Sequence, residues 1–334
     1  VVFVATDLPI ASRPRTETFI ANRARSISKG TSIGFDLFCG VSESELVLSR
    51  DDRVVATAWW SAHLAYGIIR DAGLNHDDFI YLIQDYEPGF YAWGPEFASA
   101  QASYSFKHVP VFNTTILRDY FDGLGLVDVS APAFSFQPAI DISRYAALRR
   151  KQNEVPRLVL YGRPEVARNL FPIAIEAVDD FLGQSAIAPS QIELLSVGLK
   201  HPDVCLSSGH RIRSLGKIPW DDYGDFLTSV DIGVSLMLSP HPSHPPIEMA
   251  AAGARVITNR FGNKDLSALA AGITSVEPTS QDVARALNAA WELGNVPARD
   301  RNIDLQSLGR PISEMVDDLS IWLKAGRPAL AKAS

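Results

Sequence analysis

The stretch from Ile232 to Thr258 constrains the fold more than any other. It opens with the apolar run Ile232-Gly233-Val234-Ser235-Leu236-Met237-Leu238, short enough for a strand buried on both faces of a parallel sheet. A proline- and histidine-rich loop, Ser239 to His244, follows. Next comes a short helix with Pro245 and Pro246 at its mouth and Gly253 just past its end, the usual asymmetry of helix punctuation. Arg255 to Thr258 then returns as a strand. Such a β-loop-α-β unit aims a helix N-terminus beyond the carboxyl edge of its sheet, where free N–H groups and the helix dipole favour an anion. Glu248 sits in the first turn of that helix. A carboxylate only accepts hydrogen bonds, and the vicinal diol of a ribose would offer it two donors. A diphosphate beside a ribose is a nucleotide, so a nucleotide is the expected guest.

The rest of the chain alternates in the same way. Strands are predicted at Val1–Asp7, Gly34–Gly40, Arg53–Ala58, Phe79–Gln84, Val109–Phe112 and Ala133–Phe136. Helices are predicted at Thr16–Ser28, Ala62–Asp71 with Ser61 as its N-cap, Pro95–Ser105 and Ile116–Phe121. Around Asp141 to Val155 the pattern lapses into the charged run Leu148-Arg149-Arg150-Lys151-Gln152-Asn153-Glu154, read as an interdomain connection. Alternation resumes with the strand Arg157–Tyr161, a long helix Val166–Leu182, strands Ile192–Val197 and Ile212–Leu215, and a helix Trp220–Val230. Helices Gln281–Leu293 and Ile312–Lys324 close the chain; Met315, Leu319, Trp322 and Leu323 share one face of the last. Strands alternating with helices mean parallel βαβ units, and 334 residues exceed one ordinary domain. The expected fold class is therefore α/β, with two doubly wound Rossmann-like domains facing across a cleft. Ligands of open α/β sheets bind beyond the carboxyl ends of the strands, which places the site in that cleft.

Bulk properties narrow the class of function. A net charge of −7 argues against a general nucleic-acid binder. No run approaches the roughly 20 apolar residues that span a bilayer, and no secretory leader opens the chain, so a cytoplasmic location is expected, at most peripheral to a membrane's inner face. Cys39 and Cys205, far apart in apolar strand-like surroundings, read as small core residues of a reducing compartment. The chain enters on a strand at Val1 rather than Met, as though residues upstream were missing.

Several groups stand where the cleft should be. Arg163 and Arg168 follow the strand Arg157–Tyr161, and guanidinium groups suit phosphate because their planar donors engage two oxygens together. Positive charge at a helix start is mildly unfavourable, which favours a functional reason for it. In His241-Pro242-Ser243-His244 the two histidines have no carboxylate or cysteine nearby to complete a metal site, so no metal is expected. The flanking prolines instead stiffen a loop whose backbone, with Pro246 and Ile247 behind it, could be held against a diphosphate. Glu248, in the bland reading, is only a helix acid; on a helix this apolar it needs a partner. Asp85 and Glu87, in Asp85-Tyr86-Glu87, follow the strand of the first half and are assigned to the sugar or the acceptor, with a plain turn into Pro88-Gly89 as the alternative. Trp59, Trp60, Tyr86, Phe90, Tyr91 and Trp93 are either a stacking surface for sugar rings or ordinary core and cleft lining. Lys217 could meet a base edge from the end of the strand Ile212–Leu215, and Asn263-Lys264-Asp265 lies after another; exposed lysines are commonplace, so both signals are weak. Neither a GxGxxG fingerprint after the first strand nor a P-loop is present, which removes the main support for a dehydrogenase or an NTPase.

The runs Ala56-Thr57-Ala58-Trp59-Trp60, Tyr81 through Tyr91, Tyr161-Gly162-Arg163-Pro164 with Ala167-Arg168-Asn169-Leu170, and Ser239-Pro240-His241-Pro242 through Pro246-Ile247-Glu248-Met249 resemble the WsaF-type rhamnosyltransferases. These belong to the large retaining GT-B family, family four, that also holds sucrose synthase. The resemblance runs from about Val54 to Leu266. It implies two Rossmann-like domains: an acceptor-side domain over 1–150 lacking its first βα unit, and a nucleotide-sugar domain over 151–308. It also implies a segment over 309–334 whose helix crosses back to the first domain. It implies no metal and no cofactor, dTDP-β-L-rhamnose as donor, and a growing glycan, lipid-linked as one option, as acceptor. Arg163, Asp85 and Glu87 would then be catalytic, and Arg163, Arg168, Lys217, His241, Ser243, His244, Pro246, Ile247 and Glu248 would bind the donor. Two departures stand out. The wider family carries two glutamates eight positions apart, and here Glu248 matches the second while Pro240 stands at the first. Asp85 stands where that family often has a histidine. An epimerase of sugar nucleotides with this fold, or a sugar-binding protein without chemistry, are the competing expectations; fold alone does not separate them.

Overall fold

The computed structural model describes residues 1–27, 34–43, 45–126, 132–294 and 301–325. The N-terminal half begins with β1 (Val2–Ala5), α1 (Arg13–Ile27) and β2 (Asp36–Cys39), then β3 (Val55–Ala56), α2 (Trp59–Asp71), β4 (Phe79–Ile83) and α3 (Pro95–Ser103). It continues with β5 (His108–Asn113), α4 (Thr115–Gly123), β6 (Phe134–Phe136) and α5 (Ile142–Ala146). The C-terminal half holds β7 (Arg157–Gly162), α6 (Phe171–Ser185), β8 (Glu193–Gly198), β9 (Val204–Cys205), β10 (Arg211–Gly216), α7 (Trp220–Leu227) and β11 (Ile232–Val234). After these come α8 (Pro245–Ala251), β12 (Arg255–Asn259), β13 (Ile273–Val276), α9 (Ser280–Leu293) and α10 (Ile312–Lys324).

Two larger sheets result, beside the parallel pair β1-β2. The first has the order β3-β4-β5-β6; the second runs β13-β12-β11-β7-β8-β10-β9, parallel except for β9. Period-two alternation sorts side chains to opposite faces. In β7, Leu158 and Leu160 join α6 and α9 in one core, while Val159 faces the core made with α5, α7 and α8. In β4, Phe79, Tyr81 and Ile83 pack with α2 and α4, whereas Ile80 and Leu82 meet Met315 and Leu319 of α10. The last helix thus covers one face of the first sheet, and Gln137 N–H donates to Arg310 O at 2.8 Å beside it.

Several expectations are corrected. The buried strand predicted over Val1–Asp7 is shorter, β1 ending at Ala5, and exposed, because β1 pairs with β2 in a separate ribbon instead of joining the four-stranded sheet. The helix expected over Thr16–Ser28 starts at Arg13, and Ser28 lies outside the described residues, as does the chain from 326 on. Ser61 is not a cap: α2 begins at Trp59, and Ser61 Oγ accepts from the N–H groups of Thr57 and Ala58 at 2.9 Å. The helix expected from Val166 is two pieces, a 3-10 turn at Ala167–Asn169 and then α6. Leu170 adopts a left-handed backbone (φ 51°) between them, and Pro172 marks the true first turn. The segment read as a connection, Asp141 to Val155, begins with the short helix α5. Asp141 caps α5 by accepting from Arg144 N–H at 3.0 Å, and Arg150 donates to Val230 O at 2.6 Å, fastening the segment to the second sheet. Cys205 is exposed on the edge strand β9, whereas Cys39 is buried.

Candidate functional site

The carboxyl ends of the two sheets meet. β4 ends at Ile83, and the next turn carries Asp85; β11 ends at Val234, and the chain beyond it runs through Met237-Leu238-Ser239. Ser239 Oγ donates to Asp85 Oδ1, tying one half of the molecule to the other, and the same carboxylate oxygen accepts from Tyr86 N–H at 2.8 Å. Asp85 is 8% exposed, and burial raises its pKa, against the pull of Ser239, the Tyr86 amide, Arg168 and Lys264. Its second oxygen, Oδ2, makes no hydrogen bond among the described residues.

Arg163 and Arg168 follow β7, which must end in glycine at Gly162: a Cβ there would lie 2.0 Å from Ser196 Oγ. The Arg168 guanidinium lies over the Phe90 ring of the first half, 3.9 Å from its centroid, a second bridge across the cleft. Burial holds Arg168 below its ordinary pKa; Asp85 opposes this and Arg163 adds to it, so the two guanidinium groups repel one another. Neither forms an ion pair among the described residues, and Arg168 Nε is buried without a partner.

His241 repeats the theme. Its backbone N–H donates to Ser239 Oγ at 3.0 Å, and its Nδ1 accepts from Ser243 N–H at 3.1 Å. Ser243 reaches it by adopting a left-handed backbone, φ 66°. An accepting Nδ1 places the proton on Nε2, which is buried and has no partner. Burial, then His244, Lys264 and Arg168, push the ring's pKa down to about 3, so His241 is a neutral donor in search of an acceptor. His244 is also lowered by burial, with Glu248 opposing.

The helix start contributes less than its position suggested. Pro245 and Pro246 have no N–H to give, Glu248 N–H is taken by His244 O at 2.9 Å, and the Ile247 side chain is in the core. Of that turn only the Ile247 amide could still be offered to a ligand. The Glu248 carboxylate accepts from Tyr145 OH at 3.2 Å and from Tyr223 OH at 3.0 Å. Both tyrosines were missed from the sequence: one lies in the segment taken as a connection, although Asp141 ahead of it was a legible cap. The Glu248 contacts hold the Tyr145 hydroxyl's pKa up, to about 12, second to burial.

Glu87 is corrected. Its Oε2 accepts from Trp59 N–H at 2.6 Å and from Tyr81 OH at 3.2 Å, so it caps α2 inside its own domain and is not aimed at Ser239's loop. Burial raises its pKa to about 7. Of the aromatics, Tyr86 is core with Tyr104 and Phe121, Trp59 donates to Tyr91 OH at 3.0 Å, and Trp93, 92% exposed, stacks on Phe97. Lys217 is exposed beyond β10. Lys264, ranked weakly, is 1% exposed and donates to Met237 O at 2.7 Å. Among the described residues no cluster of three metal-ligating side chains is found, and no helix is long and apolar enough to cross a membrane.

Comparison with known proteins bears on this geometry. Family models match in chain order: the N-terminal domain of WsaF over residues 38–115 and its C-terminal domain over 156–288. The O-antigen biosynthesis protein RfbC of Myxococcus xanthus is 30% identical over 258 residues, 77% of this chain. The chain spans 19% of that relative's length. Among solved structures, HepE of Anabaena in complex with UDP and glucose superposes with a TM-score of 0.59 at 11% identity, covering 97% of this chain and 99% of that one. A trehalose-phosphate synthase of Burkholderia xenovorans, in complex with glucose-6-phosphate, gives 0.59 at 14% identity over 83% and 73% of the two chains. At such identities the likeness is one of fold, and that fold is GT-B.

Proposed function

Because this chain belongs to the WsaF family, we propose that it is a glycosyltransferase that moves a deoxyhexose, L-rhamnose from dTDP-β-L-rhamnose, to a hydroxyl of a growing surface glycan. One observation carries the reading. Where the two sheets meet, unpartnered cationic and neutral donors from the second half face an acidic acceptor from the first. Arg163 and Arg168 take the diphosphate and neutralise the charge that grows on it as the glycosidic bond breaks; His241 Nε2 and the Ile247 amide complete the set of donors. Glu248 holds the ribose, Asp85 Oδ2 accepts from a sugar hydroxyl, and the reaction needs no metal. The exposed ring of Trp93 offers the acceptor glycan a face on which to stack. The relative's role in O-antigen biosynthesis supports the acceptor class.

The test is a thermal-shift series with dTDP, UDP and GDP, followed by transfer from the sugar nucleotide of the preferred base with EDTA present. A ligand that binds only the native state raises its melting temperature in proportion to the logarithm of its excess over Kd. The expected result is the largest rise with dTDP and transfer that survives EDTA. No rise with any nucleotide would sink the reading, and donor consumed without an acceptor would redirect it to epimerisation or hydrolysis.

A further inference from the structure

Three consecutive residues, Met237, Leu238 and Ser239, link Lys264, Arg168 and Asp85. Lys264 Nζ donates to Met237 O at 2.7 Å, and Leu238 N–H donates to Arg168 O at 2.8 Å. Ser239 Oγ donates to Asp85 while accepting from His241 N–H at 3.0 Å. Asn259 grips the same rail from the end of β12: its Oδ1 accepts from Met237 N–H at 2.6 Å, and its Nδ2 donates to Met237 O at 3.1 Å. Among the described residues Lys264 has no ion pair; it is among their largest fully buried side chains and has two ammonium hydrogens beyond the one given to Met237. A buried ammonium with a single carbonyl partner is costly to keep, and an aliphatic side chain would fill the space more cheaply. The carboxylate across the rail supplies the compensation.

We propose that Lys264 is a positioning residue: it fixes the Met237–Ser239 rail and keeps Asp85 a carboxylate, so that Asp85 Oδ2 accepts from a sugar hydroxyl. The groups facing Asp85 make this necessary. Tyr86 and Glu87 are on its own turn, Tyr104 ends α3, Tyr120 lies on α4, Ser239 and Arg168 come from the second half, and Lys264 follows β12. Only Arg168 and Lys264 are positive, and Arg168 is committed to the anion and to Phe90. Burial works against the Asp85 charge, and Lys264 is itself pushed down to about 8 by burial with Asp85 opposing, so each ion sustains the other. Because Lys264 touches the rail and not the open cleft, it acts through Asp85.

This rests on the glycosyl-transfer reading for its purpose but not for its measurement. The chain is labelled with aspartate carrying carbon-13 in the side-chain carboxyl, and the Asp85 signal, identified by its loss in Asp85→Asn, is followed against pH. In Lys264→Met, or in Lys264→Gln should the apolar chain pack poorly, the Asp85 titration moves up, as expected on losing an opposite charge. Lys264→Arg, which keeps the charge, stays close to the wild type. The acid limb of the kcat–pH profile for transfer moves with the titration in the charge-removing variants, whereas a packing defect lowers kcat equally at every pH. Coincident titrations in the wild type and the charge-removing variants overturn the proposal, as does an acid limb that stays put while the carboxyl moves. Absence of transfer by the wild type refutes the functional reading instead, and the carboxyl titration still decides whether Lys264 holds the charge.

Discussion

The two halves bury different polar groups where they meet. In the first, Asp85 and Glu87 are both held above their ordinary pKa, and Asn113 Oδ1, at the carboxyl end of β5, is buried without a partner. In the second, the donors Arg168 Nε, His241 Nε2 and the spare hydrogens of Lys264 lie around the rail, beside the unpartnered Asn169 Oδ1 and Ser235 Oγ. The cores differ as well. Aromatic rings fill the first, where Tyr81, Tyr104, Phe112 and Phe121 pack together, while alanines and branched aliphatics fill the second, letting α8 lie close against its sheet. Native proteins rarely leave buried polar atoms unpaired, and these gather where the two sheets meet. The proposed donor would set its diphosphate against the second half and its sugar hydroxyls against the first.

The comparison breaks most easily at the arginines. Arg163→Ala or Arg168→Ala should lower kcat about 100- to 1,000-fold, the loss of about 3 to 4 kcal/mol of transition-state stabilisation. Thermal stability should hardly change in Arg163→Ala, since Arg163 has no ion pair among the described residues, and should fall modestly in Arg168→Ala, which also loses the contact with Phe90. Turnover within a few fold of the wild type would remove the diphosphate from this edge. Next in size is Glu248→Gln. A hydrogen bond to a charged group contributes about 1.5 to 3 kcal/mol, so donor affinity measured by calorimetry should fall at least about tenfold. Unchanged affinity would leave Glu248 as no more than an acceptor for Tyr145 and Tyr223.

The smallest effect sharpens the first half. The Glu87 carboxyl is raised from 4.5 to about 7 by burial, so the folded chain keeps a proton that the unfolded chain releases. Stability should therefore decline as pH rises from about 4.5 through about 7 and level off above, with buried Asp85 acting in the same direction. In Glu87→Gln the decline, followed by thermal melts across that range, should be shallower. A melt curve as steep as the wild type would show that Glu87 is ionised throughout.

Much of this was legible in the chain. Alternating apolar runs announced two parallel sheets, Gly162-Arg163 announced a cleft edge, and Pro245-Pro246 with Gly253 marked out α8 within the described helix bounds. The dipole inferred from that helix was overread, because the prolines that signal its start also remove the N–H groups that would have carried the charge. Asp85 and Glu87, two residues apart, looked equivalent. Their neighbours decided otherwise: one meets Ser239 across the cleft, and the other meets the first amide of α2.

What the sequence determined by itself was local and periodic: which segments are strands and helices, which faces are apolar, and which turns carry acids and guanidinium groups. Those properties depend on neighbours a few residues away, where spacing is a sufficient guide. Which buried group pairs with which was decided only by tertiary structure. Asp85 and Ser239 are separated by 154 positions, Tyr145 and Glu248 by 103, and Lys264 reaches back 27 to Met237. A lysine in a polar loop reads as surface until the chain is folded. It becomes an interior charge because β12 delivers it against the rail, and the energy of a buried charge depends on the partners that packing brings to it.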